Sequence, residues 1–548
     1  MSEQLLKSKD QVSDENESAV AIKPQSSGEK KPGRFSKVIS RIRKYLHSKT
    51  NYIILCSIIG VLFLLAITLF PVSYWYKMNY SGVEFNDLVM ILTGPKEGTD
   101  SGMVYEIMSV ALPFTLTAAA LYVEAVVLLA RRRKLFTALR SALCILCAGT
   151  LISSLMFTAD AIGLDLDEVN AKTLLYDQCY VDPNTVAINA NGETKNLIHI
   201  YLESMENTHV SKEYGGGCDV NYIPNLTKLA LENVNFSDIE DGKVGGFLSV
   251  PGTGWTMAAL LCTTSGVPFN FSITGTNNMD KREEFAPGLT TLGDILLEKG
   301  YKNMFLCGSD GNFGGRLKYF TQHGNYEIYD LNTARSEGKL PSSLYHNGFW
   351  GFEDHYLYEI AKEQLTELAA GDQPFNFTML TVDTHPRDGY ICAQCGNEYD
   401  SITGNVLQCA DRQVYAFVEW IKQQPFYEDC VILISGEHVR IDGKLVPEDF
   451  ARRVYNCYIN AAVTPELRDY SRLLTTPDIF PTTLAAMGFT IEGNRLGLGT
   501  NLFSAEKTLA EEFGYDYLWG EFTKDSDYYF YKFEHPEIPW NPAPEEQE

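Results

Sequence analysis

Residues 50 to 76, TNYIILCSIIGVLFLLAITLFPVSYWY, contain no charged side chain. Roughly 20 apolar residues suffice to cross a bilayer as a helix. A chain with such a run has to divide its remaining segments between the two sides of a membrane. Tyr74, Trp75 and Tyr76 close the run with the aromatic character of an interfacial belt. A cleaved signal peptide does not fit, because the run is too long, starts too late and lacks a small-residue cleavage site. Two further spans follow at about 104 to 130 and 141 to 162, separated by Arg131, Arg132, Arg133 and Lys134. Residues 29 to 50 carry eight Lys or Arg against one Glu, whereas the loop 77 to 102 sets Lys77 and Lys96 against Glu84, Asp87, Glu97 and Asp100. The excess of positive charge on cytoplasmic loops then puts the N-terminus and the Arg cluster inside, and everything after about 163 outside. Glu124, within the second span, is costly in lipid; it is expected to face another helix, water or a headgroup, or to snorkel towards the Arg cluster.

The predicted organisation is a cytoplasmic tail over 1–49, partly disordered and basic near the membrane, and a membrane domain over 50–162. A linker over 163–195, an extracellular domain over 196–510 and a C-terminal extension over 511–548 complete it. The first 28 residues are polar and Ser-rich and bury too little surface to order themselves. A formal charge of -25 repels polyphosphate backbones, so nucleic acid is excluded as a partner. The partner implied by the spans is the membrane itself.

Apolar, β-rich runs at 196 to 202, 302 to 307, 375 to 382 and 429 to 435 are separated by segments of helical spacing such as 287 to 299. That alternation predicts an α/β domain with a mostly parallel sheet between helices. In such sheets ligands bind beyond the carboxyl ends of the strands. There the sequence places Glu203-Ser204, Gly308-Ser309-Asp310, Asp383-Thr384-His385 and Glu437-His438. Carboxylates and imidazoles are ligands for a hard or borderline divalent ion. Singly, each is as readily a cap or turn residue; together, at four strand ends, they point to a metal centre. His199, His323, His346, His355 and His535 lack such company and are expected to be structural.

With IYLESMENTH, PNLTKLALENVNFS, PGTGWTMAAL, HPRDGYICAQC, ILISGEHV and TTPDIFPTTLAAMGFTIEGNRLGLGTNLF in that order, the chain from Asn196 to Phe503 resembles a known family. It is similar to the lipoteichoic acid synthase and phosphoglycerol transferase branch of the alkaline phosphatase and sulfatase superfamily, most closely the membrane phosphoglycerol transferases that decorate periplasmic glucans. The resemblance implies one divalent metal ion, Mn2+ first with Zn2+ or Mg2+ as alternatives, held by Glu203, Thr256, Glu437 and His438. Thr256, in GTGWT at a helix start, would be the nucleophile, and His385 a general acid that also reaches the substrate. Arg316 and Trp255 would contact the headgroup. The chemistry suits these residue types: a threonine hydroxyl is a poor nucleophile unless its alkoxide is stabilised, and a helix N-terminus directs N–H groups at a phosphate.

The implied reaction moves phosphoglycerol from a phospholipid, phosphatidylglycerol first, through a covalent threonine intermediate to an extracellular glycan or glycerol-phosphate acceptor. A phosphoethanolamine transferase, a phosphodiesterase and an inactive cell-envelope scaffold are the alternatives. Glu437 stands where the family has Asp. Cys307 and Gly314 replace a His and an aromatic residue of lipoteichoic acid synthases, and three spans replace five, all of which favours a tailoring enzyme over a polymerase. No C/S-x-P-x-R motif occurs, so formylglycine sulfatase chemistry is excluded. Cys56, Cys144 and Cys147 fall in the spans and nine cysteines lie outside; related transferases and an oxidising exterior imply a disulfide from Cys409 to Cys392 or Cys395. A zinc knuckle with three evident ligands is the other reading of that cluster.

Overall fold

The computed structural model describes residues 49–79, 101–131, 136–162, 171–190, 192–271, 283–341, 351–386, 388–447 and 449–540. The tail, the charge cluster from Arg132 to Lys134 and His346 lie outside the described residues. By contacts the chain divides inside its first helix, into residues up to Leu62 and residues from Phe63 onward.

Three helices, α1 (Lys49–Asn79), α2 (Ser101–Arg131) and α3 (Phe136–Ala161), are long and apolar enough to cross a membrane. They are the mark of a membrane protein, and their outward faces bear large apolar side chains such as Leu116, Ile145 and Met156. Lipid pulls helices together only weakly, so small polar contacts between helices carry weight. Thr68 of α1 meets Thr115 of α2 through their hydroxyls at 2.8 Å, and Ser73 meets Thr158 of α3 at 2.9 Å. Trp75 and Tyr76 pack with Ile107, Val110 and Ile162, and also with Ile441. Glu124 is exposed on α2.

Beyond the helices lies a six-stranded sheet of β1 (Asn196–Leu202), β2 (Lys302–Cys307), β3 (Glu327–Tyr329), β4 (Phe375–Leu380), β5 (Cys430–Gly436) and β6 (Asn456–Ile459), ordered β3-β2-β4-β1-β5-β6. All pairings are parallel except β5 with β6. Parallel neighbours need crossover connections, and these supply helices for both faces. The side chains along β1 alternate accordingly: Ile198, Ile200 and Leu202 enter the apolar cluster on one side with Leu407 and Phe417, while Leu197 and Tyr201 enter clusters on the other. His199 stacks on Tyr201 and bonds Ser435 at 2.9 Å, a core role as expected. The segments read as linker and extension also feed the core, through Leu175 and Tyr176 and through Leu518, Phe522, Tyr529 and Phe533.

Four of the six strands coincide with the apolar runs in the sequence. The edge strands β3 and β6 do not, because they are short and owe their conformation to a neighbouring strand rather than to a strong apolar signal. With β4, β1 and β5 adjacent and parallel, residues from three distant stretches of chain arrive at one end of the sheet.

Candidate metal and phosphate site

Glu203 follows β1 directly, and Ser204 after it takes a left-handed φ of 52°. For a non-glycine residue that conformation is uncommon and has to be held by its surroundings. Here the Ser204 N–H donates to Glu437 Oε2 at 2.9 Å and its hydroxyl to Glu203 Oε1 at 2.7 Å. The turn thus ties the end of β1 to the end of β5. Further bonds tie in the end of β4: Thr381 Oγ1 accepts from the Glu203 N–H at 3.0 Å, and the Thr384 hydroxyl donates to the Glu203 carbonyl at 2.6 Å.

One ligand atom from each of Glu203, Glu437 and His438 lies within 4.8 Å of the others, and all three residues are buried. His438 Nε2 stands 3.4 Å from Glu437 Oε1 and 3.8 Å from Glu203 Oε1. Its Nδ1 is 2.8 Å from the Val439 carbonyl. A carbonyl only accepts, so Nδ1 carries a proton and Nε2 is the ring nitrogen turned to the carboxylates, the arrangement found in metal-ligating histidines. Glu203 Oε2 and Glu437 Oε1 are buried and take no hydrogen bond among the described residues. Burial and the adjacent Glu203 charge push Glu437 well above the usual carboxylate range. Burial pushes Glu203 the same way, but His385 and His438 outweigh it and hold Glu203 low. Two buried carboxylates beside one imidazole, with two oxygens left without a hydrogen bond among the described residues, fit a divalent cation.

Arg316 lies fully buried at the start of α7 (Arg316–Gln322). Its Nη2 donates to Ser309 Oγ at 2.9 Å and to the Asp310 carbonyl at 2.8 Å, and its charge is felt by Glu203. Gly314, just before it, has a φ of 64°, and a Cβ there would meet the Trp255 ring at 3.2 Å and Met257 Cβ at 3.4 Å. An aromatic residue at 314 would not fit, which gives this departure from the family pattern a local cause. Trp255 and Met257 flank Thr256, the first residue of α5 (Thr256–Ser265). Every residue of that helix is buried, and Thr256, 8% exposed, makes no side-chain hydrogen bond among the described residues. Thr253, by contrast, spends its hydroxyl on Val250, and Thr263 and Thr264 spend theirs on backbone carbonyls. His385 is half-buried after β4; desolvation lowers its imidazole while the Glu203 charge opposes that.

Sequence reasoning missed the residues that hold the loops. Arg440 Nη1 donates to the Thr384 carbonyl at 2.6 Å and its Nε and Nη2 pair with Asp442. Glu206 accepts from Arg452 Nε at 2.8 Å and from the Arg440 N–H at 3.1 Å. No local signal in the sequence marks them, because their partners lie far away in the chain. Burial alone would raise the Glu206 carboxyl, but the Arg452 charge holds it down at about 2, from an ordinary 4.5. A depressed acid contributes stability above its unfolded value and loses it as pH falls through the folded one. Between those values the group is expected to give up on the order of 3 kcal/mol. Urea unfolding of the detergent-solubilised chain at about pH 6 and about pH 3 should show about 2 kcal/mol of that loss, and Glu206→Gln should flatten the acid limb.

A separate cleft of about 650 Å³, lined by residues including Asn184, Val186, Asp294 and His323, shares no residue with the strand-end site. His323 there is satisfied by the Phe285 carbonyl at 2.7 Å and by Asp294, in keeping with a structural role.

A family model described as Sulfatase matches residues 195–489. Phosphoglycerol transferase I of Xanthomonas euvesicatoria pv. vesicatoria (strain 85-10) is 31% identical over 257 residues, 46% of this chain and 34% of that protein. The same-named protein of Escherichia coli (strain 55989 / EAEC) is 29% identical over 253 residues, 45% of this chain and 31% of that protein. The match thus spans about a third of these relatives' own length. Among solved structures, the lipooligosaccharide phosphoethanolamine transferase A of Neisseria meningitidis aligns with a TM-score of 0.45 at 16% identity, covering 79% of this chain and 84% of that one.

Proposed function

This chain belongs to the sulfatase family, and from that premise we propose that it is a membrane-anchored, metal-dependent phosphoglycerol transferase whose catalytic domain lies outside the cytoplasmic membrane. The observation that carries the reading is the meeting of Glu203, Glu437 and His438 at the ends of neighbouring strands, with two carboxylate oxygens left unbonded. The names of the relatives support a phosphoglycerol group rather than a sulfate ester. The absence of a formylglycine motif supports the same choice.

In this reading Glu203, Glu437, His438 and Thr256 hold one divalent ion, Mn2+, Zn2+ or Mg2+. Bound there, it stabilises an alkoxide and withdraws charge from a phosphoryl group. Thr256 gives up its hydroxyl proton to solvent, its Oγ attacks the phosphorus of a phospholipid such as phosphatidylglycerol in line, and the bond to the diacylglycerol oxygen breaks. His385 delivers the proton that the leaving oxygen needs. Arg316, fixed by Ser309 and the Asp310 carbonyl, keeps its guanidinium beside the anionic oxygens. The first N–H groups of α5 face the same phosphate, and Trp255 walls the headgroup. A hydroxyl of a glycan or glycerol-phosphate acceptor then attacks the phosphorus and releases Thr256 with its proton restored. Such a cycle gives ping-pong kinetics.

Intact-mass analysis of the full chain in detergent, incubated with phosphatidylglycerol and Mn2+, tests this. The expected product is a glycerophosphate adduct that maps to Thr256. A phosphoethanolamine adduct, formed only with phosphatidylethanolamine, would move the assignment to the phosphoethanolamine transferases. No adduct and no headgroup release with either lipid would overturn the transferase reading.

A further inference from the structure

Cys392, Cys395 and Cys409 bring one sulfur each within 4.8 Å of the others, and none of them is in a disulfide. The expected bond from Cys409 to Cys392 or Cys395 is therefore replaced by a three-sulfur cluster. Cys392 Sγ is 3.7 Å from Cys395 Sγ and 3.8 Å from Cys409 Sγ. Thiolates about 2.3 Å from a tetrahedral ion stand about 3.8 Å apart, the edge of the tetrahedron. A disulfide would use two of the sulfurs and leave the third over, whereas an ion uses all three alike.

The surroundings match a thiolate site. The Gln394 N–H points at Cys392 Sγ at 3.4 Å, inside the Cys392-x-x-Cys395 turn closed by the Cys395 N–H on the Cys392 carbonyl at 3.1 Å. The Gln413 side-chain amide donates to Cys409 Sγ at 3.3 Å. Cys409 and Gln413 are one turn apart on α9 (Ile402–Ile421), so a rigid helix supplies one ligand and its supporting donor.

A second observation points to a cation. Asp383, 2% exposed, has both carboxylate oxygens buried without a hydrogen bond among the described residues. Its carbonyl accepts from the Tyr390 N–H at 2.7 Å, which fastens the cysteine loop to the end of β4. Its side chain lies beside Cys392. A buried carboxylate without a donor either takes a proton or meets a cation.

We propose that Cys392, Cys395 and Cys409 form a three-thiolate structural site for a tetrahedral, thiophilic divalent ion of the zinc class, its fourth position left to solvent. Each thiol gives up its proton on binding. The ion would pin the loop from Asp383 to Cys409, which carries His385 near its start, and it would be a second ion, independent of the transferase reading because the strand-end site contains no sulfur.

Spectroscopy separates the two sites without mutation. The full-length chain in detergent, stripped and reloaded with Co2+, should show thiolate-to-cobalt charge-transfer absorption in the near ultraviolet and tetrahedral d–d bands. Only the cysteine cluster can produce the sulfur band. As purified, the protein should retain one zinc per chain in a Glu203→Gln/His438→Ala background, and Cys409→Ser should remove both that zinc and the band. Absence of the sulfur band in the wild-type chain, or a disulfide among the three cysteines in non-reduced peptide mass spectra, would overturn the site.

Discussion

Thr256→Ala is expected to lower headgroup transfer by at least about 10⁴-fold, the scale on which loss of a covalent nucleophile acts. Its effect on the fold should be slight, because the Thr256 hydroxyl makes no hydrogen bond among the described residues and its removal deletes one partly shielded methyl as well. The unfolding midpoint of the full chain should therefore shift by no more than about 1 kcal/mol equivalent. Thr253→Ala makes the opposite comparison. That hydroxyl closes the turn at Val250 with bonds of 2.6 and 3.1 Å, so its loss should cost stability without removing the nucleophile. Thr256→Ser should retain measurable transfer. Radiolabelled headgroup release from phosphatidylglycerol vesicles, read beside urea unfolding, separates the three. If Thr256→Ala transferred at the wild-type rate, the nucleophile assignment would be wrong.

The second large effect concerns Glu437. Glu437→Gln is expected to abolish transfer and the stabilisation given by added Mn2+, yet to make the metal-free protein more stable, by on the order of 1 kcal/mol. The reason lies in the charge. Glu203 and Glu437 are both fully buried, they flank one imidazole, and two of their oxygens take no hydrogen bond among the described residues. Without a cation the pair repels and stays buried only by keeping a proton on Glu437; an amide needs no such proton and still accepts from the Ser204 N–H. Glu437→Asp restores the shorter acid of the family pattern and should keep metal binding at lower affinity. Thermal unfolding with and without Mn2+ reads both signs; a destabilised metal-free Glu437→Gln protein would contradict the shared-site reading.

Much of this site was legible because parallel sheets put chemistry at strand ends. The runs ending at Leu202, Leu380 and Gly436 are buried on both faces and nearly all apolar, so their ends could be read from composition. The residues just past those ends, Glu203, Asp383 to His385 and Glu437 with His438, were then visible as a set. The supporting shell was not. Arg440 and Arg452 act through bonds to residues far away in the chain, Thr384 and Glu206, and no local pattern distinguishes them from surface arginines. Asp383 was visible as one of the strand-end acids but not as a carboxylate beside a thiol cluster, since that depends on how one loop folds back. The edge strands escaped for a related reason: their pairing partners, not their own residues, set their conformation.

Ile441 lies three residues beyond the Glu437-His438 pair and rests on Trp75 and Tyr76 at the end of the first span. For a lipid-handling enzyme this has a kinetic meaning. The active loop is tethered at the plane where headgroups lie, so encounters with donor occur by lateral diffusion in two dimensions. Turnover should then track the mole fraction of phosphatidylglycerol in the bilayer, and diluting it with an inert lipid should slow the reaction even when its total amount is held constant. In the proposed reaction, diacylglycerol released at that plane would sink back among the acyl chains without crossing water.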